Sequence, residues 1–208
     1  MLIKEFCAEN FTDIPKAIKA SANRVELCDN LAVGGTTPSY ATIKESAAYT
    51  AEDAIPLAVM IRPRGGDFIY SNTEINIMEE DILRASEAGA TAFVFGALTK
   101  DNIIDEESME TLLIASQGMP VTFHMAFDLI EDWKSAMDYL IEQGVEKILT
   151  HGGQLDQPLN VKKIQEMVEY AAGRIDIMIG GGVNYENCQK LAKETGVNFV
   201  HGRQIVEI

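Results

Sequence analysis

Cysteine is scarce and its count is odd: three in 208 residues. No two of them form a Cys-x-x-Cys pair, and no His-Glu-x-x-His run occurs. An odd count gives no disulfide framework, and the missing motifs argue against a structural zinc site. Positive charge is also short. Lys and Arg number 17 against 32 Asp and Glu, a net charge of −15. That balance argues against a broad basic surface for nucleic acid or anionic membrane, while leaving room for a small basic pocket. No apolar run approaches the ~20 residues needed to span a bilayer. The N-terminus, Met1-Leu2-Ile3-Lys4-Glu5-Phe6, lacks the basic region and long apolar core of an export signal and reads as a strand that starts at once. These absences predict a protein of the reducing cytoplasm with neither nucleic-acid nor membrane partners. No redox-cofactor motif is present.

What the chain does have is a repeating architecture. A helical stretch, a Gly and then a β-rich run recur at Ala88-Gly89-Ala90, Gln143-Gly144-Val145 and Thr195-Gly196-Val197. Glycine suits the left-handed position just past a helix, and a buried strand follows each time. Strands are expected to begin near Leu2, Arg24, Leu57, Thr91, Val121, Lys147, Ile175 and Asn198. Their spacing of roughly 20–35 residues is that of βα units in a barrel. Between them, Ile75, Met78, Ile82 and Ala85 recur at helical spacing over 74–87, and Trp133, Met137, Leu140 and Ile141 over 133–143. Asn184 is the expected N-cap of a helix that ends near Thr195. The pattern predicts one domain over residues 1–208, an α/β chain folded as a TIM (β/α)8 barrel of parallel strands. A flavodoxin-like sheet would need fewer strands. Only Gln204 to Ile208 follow the eighth strand, too few for a full closing helix. The flank between strands eight and one then needs another cover, and a homo-oligomer is expected.

Polar chemistry gathers at the strand ends, where function sits in such folds. Glu5-Phe6-Cys7 and Glu26-Leu27-Cys28 repeat one pattern, and side-chain alternation puts each Glu and Cys on one face. Cys7 and Cys28 at matching heights suit a soft ion such as Cu(I). The competing explanation is that they are small buried packing residues. Cys188 falls on a helix and reads as core. Glu5 and Glu26, if buried, need cationic or hydrogen-bonding partners. Arg62 and Arg64 in the third strand's mouth, with Gly65, Gly66 and Asp67 following, supply either those partners or an anion site. His124 and Asp128 suggest a proton-transfer pair, against the reading of His124 as a hydrogen-bonded core residue. His151 and His201 also close predicted strands. Gly180, Gly181 and Gly182, and Gly202 after the eighth strand, stand where barrels often hold phosphate on backbone N–H groups.

Several runs are specific to a known family. Val25-Glu26-Leu27-Cys28, Gly34-Gly35-Thr36-Thr37-Pro38-Ser39, Met60-Ile61-Arg62-Pro63-Arg64-Gly65-Gly66-Asp67-Phe68, Phe95-Gly96-Ala97-Leu98-Thr99, Phe123-His124 with Ala126-Phe127-Asp128, and Leu149-Thr150 with Gly152-Gly153 closely resemble the CutC family over nearly the whole chain. The resemblance implies a TIM barrel, a cytoplasmic location and a part in copper homeostasis, with Cys7 and Cys28 matching the family's proposed copper ligands. The chain departs from that pattern in Met125, where relatives usually carry Arg, and in His151, where they usually carry Ser.

Two functions follow as expectations. In one, Cys7 and Cys28 bind Cu(I), with Met60, Met125 or a histidine completing the site. In the other, the barrel is an enzyme, an isomerase or lyase, acting on a small phosphorylated or carboxylated metabolite. Glu5, Glu26, Asp67, His124 and Asp128 would then supply catalysis, with Arg62, Arg64 and the glycines holding the anion. The partner is accordingly a copper ion or a small anionic metabolite.

Overall fold

A computed structural model describes residues 1–208. Eight parallel strands close into a barrel: β1 (Ile3–Glu9), β2 (Arg24–Cys28), β3 (Leu57–Met60), β4 (Ala92–Phe95), β5 (Val121–Phe123), β6 (Lys147–Thr150), β7 (Asp176–Ile179) and β8 (Phe199–Gly202). Seven α-helices connect them: α1 (Ile14–Lys19), α2 (Tyr40–Glu52), α3 (Asn72–Glu87), α4 (Glu106–Ala115), α5 (Trp133–Glu142), α6 (Val161–Ala171) and α7 (Cys188–Thr195). The chain is a TIM barrel, as its periodicity and glycine spacing predict.

Local sequence explains the elements. α3 opens on a capping box, in which Ser71 accepts from the Glu74 N–H and the Glu74 carboxylate reaches back to the Ser71 N–H. Such a cap stabilises a helix by about 1 kcal/mol. Its Ile75, Met78, Ile82 and Ala85 form the buried face. Gly89 (φ 102°) and Gly196 (φ 80°) take the left-handed conformation past the ends of α3 and α7, which a β-carbon would strain. α7 starts later than expected. Its first residue is Cys188, and Asn184 instead builds the preceding turn by accepting from the Glu186 and Asn187 N–H groups. Asn carboxamides favour such local turns.

Alternation along the strands divides the interior in two. Phe6, Ala8, Val25, Leu27, Val59, Phe93, Phe95 and Ile177 face outward into the main core shared with the helices. Cys7, Cys28, Ala58, Met60, Ala92 and Val94 form a separate cluster of 6 inside the barrel. The small side chains of Ala58 and Ala92 leave space there for the larger polar groups of β1, β2 and β8. After β8, Ile205 and Val206 of the tail are buried in the main core, and Gln204 bonds back to the turn before α7 through the Tyr185 N–H.

Candidate functional site

Register decides which groups meet. Between β1 and β2, Glu5 lies opposite Arg24, Cys7 opposite Glu26, and Glu9 opposite Cys28. The two cysteines are therefore offset by two residues rather than level, because the strands of a closed barrel are staggered. Between β1 and β8, Glu5 lies opposite His201. Three strands thus deliver one buried polar group: Glu5, Cys7, Arg24, Glu26, Cys28 and His201 are each under one-tenth exposed.

The group is internally neutralised. The Glu5 carboxylate pairs with the Arg24 guanidinium on one oxygen and faces His201 Nδ1 at 2.9 Å on the other. Burial opposes its charge, but Arg24 and His201 outweigh burial and hold the carboxyl at about 2. Glu26 behaves in the opposite way. Burial is the largest influence, the neighbouring Cys7 and Glu5 add to it against His201, and its carboxyl is pushed up to about 8. Cys7 is pulled well below the ordinary thiol range, chiefly by a hydrogen bond from Cys28 and further by His201, against the cost of burial. Cys28 is driven up as the donor of that bond and by burial, and it also approaches Glu26 Oε2 at 3.6 Å. Burial disfavours charge on His201, yet Glu26 and Cys7 beside it hold the imidazole well above its usual value. These surroundings favour charge on Glu5 beside Arg24 and on Cys7 beside His201, and disfavour it on Glu26 and Cys28.

Above this layer lies a small, mostly apolar pocket of about 280 Å³, with Cys7, Glu26, Cys28 and His201 at one side and Met60, Arg62, Phe68 and His124 at the other. A wider polar cleft of about 650 Å³ opens beside it, lined by Gly181, Gly182, Gly202 and Arg203. Leu155, 61% exposed, borders both.

Arg62 and Arg64 part company. Arg62 is buried, and its guanidinium donates to the carbonyls of Val33, Gly35 and Gly66. It clamps two loops and does not neutralise Glu5 or Glu26; Glu5 is paired by Arg24, which the sequence did not single out. Arg64 turns outward to Glu74 at 2.5 Å and Asp67 at 3.0 Å, tying the loop to the cap of α3, so Asp67 is spent there as well. His124 and Asp128 do not pair. His124 Nδ1 accepts from the Ala126 N–H at 3.3 Å, while Asp128 accepts from the Thr150 hydroxyl at 2.5 Å and the His151 N–H at 2.8 Å. The helical turn Met125–Leu129 between them carries Asp128 toward β6. His151 spans the carbonyls of Gly180 and Gln157.

The glycines divide likewise. The Gly180 N–H is used in the sheet, bonded to the Thr150 carbonyl at 3.1 Å. Gly202 packs so closely on the Val183 carbonyl that no β-carbon fits. Gly181 and Gly182, at φ 78° and 81°, line the wider cleft. His201 is the residue whose role the sequence hid. Its signal was the shared parity of Phe199 and His201, but only the β8–β1 register joins it to Glu5, 196 positions away.

One three-ligand set stands out. Cys7, Glu26 and His201 offer a sulfur, an oxygen and a nitrogen that all lie within 4.8 Å of one another, and all three are buried. No helix is long and apolar enough to cross a membrane.

Comparison with known proteins bears on the family and the fold. The family model described as "CutC family" matches residues 2–206. A CutC family protein of Streptococcus pyogenes serotype M6 is 52% identical over 209 residues, covering 99% of this chain and 100% of its own. The human copper homeostasis protein cutC homolog is 40% identical over 202 residues, covering 96% of this chain and 72% of its own. A crystal structure of a CutC protein from Streptococcus agalactiae superimposes with a TM-score of 0.96 at 54% identity, covering 99% of this chain and 100% of that one.

Proposed function

The chain belongs to the CutC family, and from that premise we propose that it handles copper by holding Cu(I) as cargo between Cys7 and His201. The observation that carries this is the buried set of Cys7, Glu26 and His201 within 4.8 Å. Thiolate and imidazole are the donors a soft monovalent copper ion prefers. The Cys7 thiol is held well below its ordinary range, which favours the thiolate that a metal needs as ligand. His201 must shed the proton that Glu26 and Cys7 favour, and the cation then replaces that proton's charge. Cys28 is the reserve sulfur. Its thiol approaches Glu26 Oε2 at 3.6 Å on the same pocket wall, and its own proton can leave once a cation occupies the site. The thioethers of Met60 and Met125 line the same pocket and would guide a soft ion inward.

Anaerobic titration with Cu(I) against a chromogenic chelator tests the reading. One Cu(I) per chain is expected, weakened by about 10–100-fold in Cys7→Ser and in His201→Ala, a typical loss for a disturbed metal site. Cys188→Ser should bind like the parent, since Cys188 is buried at the start of α7 in the main core. A Cys7→Ser, Cys28→Ser double variant that retains parental Cu(I) affinity would show the assignment to be wrong.

A further inference from the structure

Copper binding leaves one buried charge without a use. Arg62 is 4% exposed, and none of the molecule's ion pairs includes it. Its three terminal hydrogen bonds run to neutral carbonyls, and its Nε–H has no acceptor at all. A buried guanidinium without an anion is costly to keep. His124, also 4% exposed, stands beside it. Both pack on Phe68: the guanidinium lies 4.8 Å from the ring centroid and the imidazole centroid 4.7 Å. Since His124 Nδ1 accepts the Ala126 N–H, the neutral ring carries its proton on Nε2. That Nε2 is buried with no partner. Buried donors normally find acceptors, so an unmet donor beside an unmet cation in a pocket marks a place for a ligand.

We propose that this pocket binds a small organic monocarboxylate, whose carboxylate accepts the His124 Nε2–H and neutralises Arg62, and whose apolar body lies along Phe68, Met60 and Leu149. The chemistry of the pocket selects this class. One unpaired cation matches one negative charge, and a phosphate dianion would carry a second charge into a largely apolar space whose other cationic group, His201, already faces Glu5 and Glu26. At about 280 Å³ the pocket suits a molecule smaller than a drug-sized ligand. His124 thereby acts as a hydrogen-bond donor that positions the ligand, where the sequence had suggested a proton-transfer partner for Asp128. The proposal stands apart from the copper reading, because neither cysteine nor His201 holds the carboxylate.

Metal-free protein is titrated with hexanoate, with hexanamide as a neutral mimic of the same shape, and with inorganic phosphate, each followed by calorimetry and by thermal shift. Saturable hexanoate binding is expected, with hexanamide and phosphate weaker by about tenfold or more, the equivalent of one lost charge-assisted hydrogen bond. His124→Phe should lower hexanoate affinity by a similar factor. Because the His124 ring lies close to Gly96, the smaller His124→Leu accompanies it in case Phe does not fit. The same preparations titrated with Cu(I) report the metal site separately. No hexanoate binding, equal binding of hexanamide or phosphate, or parental hexanoate affinity in a folded His124 variant would each overturn the proposal.

Discussion

His124 should make this barrel acid-sensitive in a way that a single substitution removes. Burial, with the charge of Arg62 beside it, holds the imidazole at about 3 against an ordinary 6.5. In the folded protein the ring stays neutral down to that value, whereas the unfolded chain takes up a proton as soon as pH falls below 6.5. The unfolded state binds more protons throughout the window from 6.5 to 3, so stability falls as pH falls through it. Each unit within the window is worth about 1.4 kcal/mol, and by pH 4.5 the loss reaches about 3 kcal/mol. Carboxylates elsewhere titrate in the same range, but they are common to the parent and to His124→Phe or His124→Leu and cancel in the comparison. Urea unfolding at pH 7 and pH 4.5 measures it. The parent's midpoint should drop further than the variant's, the excess being on the order of 1 M urea for a domain of this kind. At pH 7 the variants should lie near the parent, since removing the unpaired Nε2–H offsets the lost bond to Ala126. Parallel pH dependence in parent and variants would refute the claim that the ring is buried and neutral.

Three further outcomes follow from the structure. Glu5→Gln should destabilise the protein by about 3–5 kcal/mol at pH 7, because Arg24 and His201 then lie buried without their shared carboxylate; denaturant unfolding checks it. The parent itself should lose this pair's contribution as pH falls from 4.5 through about 2, the range over which the unfolded and then the folded carboxyl are protonated. Gly202→Ala should cost about 1–3 kcal/mol, since a β-carbon there meets the Val183 carbonyl and backbone cannot move aside cheaply. A thermal melt showing parental stability for that variant would contradict the close approach.

The strands were legible because parallel barrel strands are short, buried runs bounded by glycine and helical periodicity, and each expected start lies within a residue of the observed one. The helix starts were less so: Asn184 has the chemistry of a cap, and only the turn it builds shows that α7 begins at Cys188. At the site, alternation was enough to suggest that Glu5, Cys7, Glu26 and Cys28 share a face, but not their heights, which depend on barrel stagger. Residues close in sequence misled. Arg64 follows Arg62 by two positions yet serves the cap of α3, and Asp128 follows His124 by four yet serves Thr150 and His151. The interactions that organise the site, His201 with Glu5 and Arg24 with Glu5, join strands whose pairing no local pattern specifies.

In this account, one half of the barrel interior sets a cysteine sulfur beside an imidazole, and the other sets a lone cation beside a free N–H. The first arrangement is the one proposed to hold Cu(I). X-ray absorption at the copper edge of the Cu(I)-loaded protein tests that claim most directly. The account predicts a low-coordinate Cu(I) with sulfur and imidazole nitrogen in its first shell, the sulfur contribution falling in Cys7→Ser and the imidazole signature disappearing in His201→Ala. A first shell of oxygen and nitrogen alone, or a spectrum that neither substitution changes, would contradict it.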